Sequence, residues 1–268
     1  MPTPLIALLT DFGEEGHFVA SLKAVIAGLH PEARVVDISH RVPAFDIRGA
    51  GFILFACARV FPAGTIFVAV VDPGVGTARR LLLVRTARHW FIAPDNGLLT
   101  LALEAEPAEE VRELAASRFF LSVRSTFEAR DKMAPAAAWL SLGVPAAEFG
   151  PLVTSWRKLP VARPQLMGKK ITGEVVHVDR FGNLITNIPE ALLWHVERAA
   201  GPAGCRLKVG RRPSLPPAAA YAAAPRGRPV FLIGSLGLVE IAVREGSAAR
   251  LLRARAATRV EVAPRRTR

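Results

Sequence analysis

Residues 5–13 read Leu5-Ile6-Ala7-Leu8-Leu9-Thr10-Asp11-Phe12-Gly13: an apolar run, a carboxylate, and a glycine turn that leads into a helical pattern. The run predicts a strand, and the turn places Asp11 at its carboxyl end. Carboxylates there, in open α/β sheets, sit where ligands bind, and one Asp commonly takes two adjacent ribose hydroxyls. Asp11 capping the next helix is the other reading, and the spacing alone leaves both open.

Outward from this stretch the pattern repeats. Further strands are expected at Arg34–Ile38, Ile66–Val71, Leu81–Thr86 and Trp90–Ala93, with helices over His17–Leu29 and Ile47–Val60, the second capped by Asp46. Strands alternating with helical segments predict an α/β domain over residues 1–160 with a mostly parallel central sheet. From Gly150 to Lys170 the periodicity fails in a Pro-containing stretch that suits a linker. Beyond it, Gly173–Asp179, Leu184–Thr186, Arg206–Val209, Val230–Ile233, Val239–Val243 and Arg259–Val262 read as short strands, with a helix over Pro189–Ala199. This predicts a smaller all-β barrel domain over 168–263, in which the Pro- and Ala-rich segment Pro213–Arg228 is expected to be a mobile loop.

The chain has 268 residues, 51% of them hydrophobic, enough for a substantial core. Its apolar runs are far shorter than the roughly 20 residues that span a bilayer, so no membrane span is expected. The start, Met1-Pro2-Thr3-Pro4, has no basic cluster ahead of an apolar segment, which points to a cytoplasmic protein. Cys57 and Cys205 have unrelated contexts, and the six histidines are scattered, so neither a disulfide framework nor a metal site is expected. The net charge of +12 is uneven: residues 1–150 hold 14 Lys/Arg against 16 Asp/Glu, and residues 151–268 hold 21 against 7. No stacking aromatics interleave the basic tail, so nucleic acid is not an expected partner.

Three motifs carry chemistry. Asp11 heads the first. In the second, Val70-Val71-Asp72-Pro73-Gly74-Val75-Gly76-Thr77 ends a strand in a carboxylate and a tight turn, and Arg79 returns within reach of Asp72. Such a pair is either a braced turn or a water- or cation-orienting device beside a cleft. In the third, Asp179 and Asn183 flank a Gly turn in Asp179-Arg180-Phe181-Gly182-Asn183, which is either a plain hairpin turn or a ligand contact, since an Asn amide can both donate and accept. Ala93-Pro94-Asp95-Asn96-Gly97 and Ser125-Thr126-Phe127-Glu128-Ala129-Arg130-Asp131 are weaker signals.

Taken in order, LLTDFG, VVDPGVGTARR, APDNGLLT, STFEARD, DRFGNLITNI and GSLGLVEIAV resemble the S-adenosylmethionine (SAM) hydroxide adenosyltransferase family, relatives of SAM-dependent halogenating enzymes, over nearly the whole chain. The resemblance implies hydrolysis of SAM to adenosine and methionine without a cofactor. It also implies a homotrimer whose active sites lie between one subunit's N-terminal domain and its neighbour's barrel. By motif match, Asp11 would hold the ribose hydroxyls, Phe45 would line the pocket, and Asp72 and Arg79 would be two members of an Asp–Arg–His set that positions the attacking water. Asp179 and Asn183 would take the methionine portion or nearby polar groups, and Ser235, Glu240 and Val243 the adenine side.

The chain departs from the family where it matters. Glu128 stands in the place of the His and Ala129 in that of the following Gly, while Gly16 replaces an Asp and Phe18 a Tyr. An unperturbed Glu titrates near pH 4.3 against about 6.5 for His, so Glu128 is expected to be an anion that repels Asp72 unless Arg79 and Arg130 compensate. By the same match Asp72 would sit beside the reacting carbon, where an ionised carboxylate repels halide and argues against a halogenase. A non-catalytic SAM or adenosine binder is the first alternative to a hydrolase and a SAM-dependent halogenase the second, and Glu128 is the residue that separates binder from hydrolase.

Overall fold

The computed structural model describes residues 4–201 and 204–265. The chain divides into two compact units, Met1–Pro160 and Val161–Arg268.

The first unit is built on a six-stranded sheet of β1 (Leu5–Thr10), β2 (Arg34–Ser39), β3 (Ile66–Val70), β4 (Leu81–Thr86), β5 (Trp90–Pro94) and β6 (Ala108–Glu113), in the order β2-β1-β3-β5-β4-β6. The helices are α1 (Phe18–Leu29), α2 (Ile47–Ala58), α3 (Thr100–Ala105) and α4 (Ala134–Ser141). Alternation along the strands explains the layers. Ile6 and Leu8 join Leu22 and Ile26 of α1 and the alanines of α4 in one core, while Ala7 and Leu9 join Ala50 and Leu54 of α2 and Ala102 of α3 in another. With both faces covered, β1 is an unbroken apolar run rather than an alternating one. Asp46 caps α2 as expected, accepting from the Gly49 N–H at 2.9 Å.

The expectation of a mostly parallel sheet holds in part. β1 pairs in parallel with β2 and β3, and β3 with β5, but β4 runs antiparallel to both β5 and β6. Helices α1 and α2 supply the long crossovers that parallel neighbours require, whereas three residues join β4 to β5 and leave only a hairpin. The supposed linker is also anchored as far as Lys158–Pro160: Glu113 N–H donates to the Pro151 carbonyl, Val153 N–H to Val111, and Leu159 N–H to Thr100 Oγ1.

The second unit is an antiparallel sheet of β7 (Gln165–Met167), β8 (Lys170–Val178), β9 (Leu184–Pro189), β10 (Cys205–Val209), β11 (Pro229–Ile233), β12 (Leu238–Val243) and β13 (Arg259–Pro264). The main path runs β10-β13-β8-β9-β12-β11, and β7 pairs with β8 at its side. Two helices, α5 (Glu190–Ala200) and α6 (Ala248–Leu252), pack on the same core as the inward residues Ile171, Leu207, Phe231 and Val260. The segment expected to be a mobile loop instead nearly closes the barrel. Leu215 exchanges both backbone hydrogen bonds with Leu207 of β10, and Pro216 and Ala218 bond Phe231 of β11. Proline lacks an N–H but retains its carbonyl, so Pro216 serves as an acceptor in this edge. Among the described residues no helix is long and apolar enough to cross a membrane.

Candidate functional site

Parallel pairing sets two carboxylates side by side. Thr10 of β1 lies in register with Val70 of β3, so the chain leaves both strands at the same edge, and Asp11 and Asp72 follow there. Both line a cavity of about 330 Å³ whose apolar walls include Phe12, Phe18, Phe45 and Phe127. Phe12, Phe18 and Phe127 pack on one another with ring centroids 5.1–5.6 Å apart, in tilted and edge-on geometry.

Asp11 Oδ2 accepts the Phe45 N–H at 2.9 Å. Phe45 holds a positive φ of 67° and exposes 70% of its surface, an uncommon backbone state for a bulky residue and one that clusters at binding sites. Beneath it, Thr10 Oγ1 and His40 Nδ1 are 2.8 Å apart and buried. Through this bond His40, which follows β2, ties its strand end to that of β1, with its Nε2 3.1 Å from Asp37. Gly16 has φ +90°, where a side chain would be strained, which accounts for a glycine there.

Asp72 sits in a turn fixed from several directions. Its Oδ1 accepts from Gly74 N–H at 3.2 Å, and Asn96 Nδ2 donates to the preceding Val71 carbonyl at 2.8 Å. Asp95 takes Arg80 and the Arg157 N–H, so the Ala93–Gly97 motif is scaffolding. Arg79 Nε donates to both Asp72 oxygens, at 2.7 and 2.9 Å, and its Nη2 bridges Asp72 Oδ2 and Glu128 Oε2.

Glu128 enters from the start of one π-helical turn, Ala129–Met133, that leads into α4; such turns are frequent at functional sites. The loop before it is held by Asp131, which accepts from Ser125 Oγ and from Arg130. Glu128 Oε1 accepts from Lys132. Burial pushes the Glu128 carboxyl up, but the hydrogen bonds from Lys132 and Arg79 outweigh it and hold it below the ordinary carboxylate value. Burial likewise works against the Arg79 charge, and Asp72 and Glu128 restore it. The compensating cations are therefore Arg79 and Lys132. Arg130, expected in that role, is spent on Asp131 and lies over the Phe127 ring.

The barrel unit carries a second cleft of about 640 Å³, lined by Asp179, Phe181, Asn183, Tyr221, Val243 and Arg244 among others. Asp179 Oδ1 accepts the N–H groups of Phe181 and Asn183 at 2.9 and 2.8 Å, and Oδ2 takes the Asn183 amide at 3.0 Å. Asp179 thus builds the turn that presents Asn183 and a largely exposed Phe181. Val243 lines this cleft, but Ser235 sits exposed in the β11–β12 turn and Glu240 is buried on β12. Glu240 accepts from Tyr221 Oη at 2.6 Å. Burial raises the Glu240 carboxyl, and the Tyr221 hydrogen bond offsets only part of this. Phe181, Tyr221 and Lys132 escape a motif reading. For Phe181 one signal is available, its place as the lone aromatic inside the Asp179–Asn183 turn.

Residues 6–150 match the N-terminal domain of the SAM hydroxide adenosyltransferases, and residues 173–261 match their C-terminal domain. The chain belongs to this family. As a SAM hydroxide adenosyltransferase family member it is 39% identical over 253 residues to the (R)-S-adenosyl-L-methionine hydrolase of Thermus thermophilus, covering 91% of this chain and 93% of the relative. It is 38% identical over 256 residues to the hydrolase of that name from Salinispora arenicola, covering 93% and 94%. A fluorinase from Actinoplanes sp. is more distant, 28% identical over 213 residues and covering 69% and 72%. Among solved structures, an uncharacterized conserved protein from Thermotoga maritima superposes with a TM-score of 0.90 at 35% identity, covering 97% of this chain and all of the other.

Proposed function

We propose that this protein hydrolyses S-adenosyl-L-methionine to adenosine and L-methionine. One observation carries the chemistry: the buried Asp72–Arg79–Glu128 network opens on the same cavity as Asp11 and Phe45. At the C5′ of SAM a water oxygen forms the new bond, the C5′–S bond breaks, and its electron pair neutralises the sulfonium as methionine's thioether. The proton that the attacking water sheds passes to solvent. Such a displacement needs an aligned, polarised nucleophile in a dry pocket more than it needs a metal or cofactor. Asp72 is assigned to accept a hydrogen bond from that water, with Arg79, which donates to both of its oxygens, assigned to orient the carboxylate.

Asp11 is assigned to the ribose hydroxyls and Phe45 to the wall beside them. In the barrel, Asn183 and Val243 are assigned to direct contact with substrate, Asp179 to holding Asn183, and Glu240 to holding Tyr221. Ser235, exposed in its turn, is assigned to the adenine side on motif match alone. On the family resemblance alone we further propose a homotrimer in which one subunit's α/β unit meets its neighbour's barrel, which light scattering on the purified protein tests. We place the reaction in the cytoplasm.

The deciding experiment incubates protein with SAM, with and without chloride, and follows adenosine and methionine by chromatography. Catalytic adenosine formation unaffected by chloride supports hydrolysis. A chlorinated nucleoside would make halide the nucleophile, and tight SAM binding with no product would leave a binder. That last reading draws on Glu128, which is ion-paired where, by the motif match, the family has a His.

A further inference from the structure

Both oxygens of Glu128 are engaged by cations, Oε2 by Arg79 Nη2 and Oε1 by Lys132 Nζ. Lys132 is itself largely buried, and its ammonium lies 5.6 Å from the centre of the Phe120 ring. Asp72, Arg79, Glu128 and Lys132 therefore form a chain of alternating charge that sums to zero. A neutral imidazole in place of Glu128 would leave two cations, Arg79 and Lys132, facing each other with Asp72 as the single anion. The lysine and the glutamate make sense only together.

We infer that Lys132 is a positioning residue for the reaction: it holds Glu128 so that Arg79 stays gripped between two carboxylates beside the cavity. The inference rests on the hydrolase reading above. The charged groups facing Glu128 are Arg79 from the loop after β3, Asp72 across it, Lys132 from the π-helical turn, and the Arg130–Asp131 pair on that turn. Arg130 is bound to Asp131, so no other cation on the turn replaces Lys132. Loss of Lys132 removes one of the two cations that engage the Glu128 carboxylate, so its titration is expected to move up, and the acid limb of kcat is expected to follow it to higher pH because only the ionised Glu128 grips Arg79.

The test compares Lys132→Met and Lys132→Arg with the parent. Lys132→Met is expected to lower kcat by about 10–100-fold, the range for groups that hold a direct ligand in place. KM should change little and the acid limb should rise, with Lys132→Arg recovering most of the rate. Carbon NMR of labelled Glu128 reads the same upward movement on resting protein. Should Lys132→Met fold poorly, Glu128→His alone is expected to lose activity and Glu128→His with Lys132→Met to regain it. An unchanged rate profile and Glu128 titration in Lys132→Met, or a double variant no better than Glu128→His, overturns the inference. If the parent forms no adenosine, the hydrolase reading fails, while the Glu128 titration still decides whether Lys132 holds it.

Discussion

Phe45 keeps a left-handed backbone because Asp11 accepts its N–H, and that strain costs about 1–2 kcal/mol for a residue with a side chain. Glycine removes the strain at an unfolded-chain cost of about 0.5–1 kcal/mol. Phe45→Gly should therefore melt no lower than the parent while KM for SAM rises at least about tenfold, as a pocket wall is lost. A lower melting temperature with unchanged KM would make the ring structural. Asp72→Ala leaves the pocket but removes the hydrogen-bond acceptor, so kcat should fall by about 10²–10⁴-fold while calorimetry still detects adenosine binding. Asp72 and Arg79 were legible as a pair because their seven-residue separation spans one tight turn. Lys132 was not, because its partnership with Glu128 depends on the turn at 129–133, and the adjacent Arg130 offered an equally good charge on paper.

Among the elements, the Asp179–Asn183 turn is closely packed. Gly182 has φ +83°, and a Cβ there would stand 2.0 Å from Ser247 Oγ, at the cap of α6, while its carbonyl accepts from Ala249 N–H. Gly182→Ala should cost about 2 kcal/mol or more, combining left-handed strain with overpacking. Thermal denaturation reads it, and an unchanged midpoint would mean the turn relaxes freely. Most strands were legible from their apolar runs, Leu81–Thr86 among them, and so was the cap at Asp46. Helix α4 was not: Ala134–Ser141 is rich in alanine and buried nearly all round, so it has no polar face to mark a period. The strand-like closure at 215–218 was hidden by prolines that ordinarily signal loops.

For the whole molecule, acid is the telling variable. Asp37 and Glu128 are pushed up by burial yet pulled lower by their cationic partners, and Glu110 and Asp131 are lowered chiefly by Arg112 and Arg130. Carboxyls depressed in the folded state add stability above their unfolded values and lose it as pH falls through the folded ones. Glu240, raised by burial, works the other way and costs stability as pH rises through its folded value. With the depressed carboxyls in the majority, the midpoint of thermal unfolding should drop steeply below about pH 4. A flat profile there would show that these pairs persist in the unfolded chain. The charge imbalance between the halves was legible from counting alone, and so was the hairpin of β4 and β5, whose predicted strands leave three residues between them, whereas β6, Ala-Glu-Glu-Val-Arg-Glu, has no apolar run to mark it as a strand. Finally, Tyr221 is the single tyrosine of the chain, anchored on Glu240 and lining the barrel cleft. Growth on fluorotyrosine would accordingly give a protein with one fluorine resonance, a built-in gauge of whether that cleft is empty or filled.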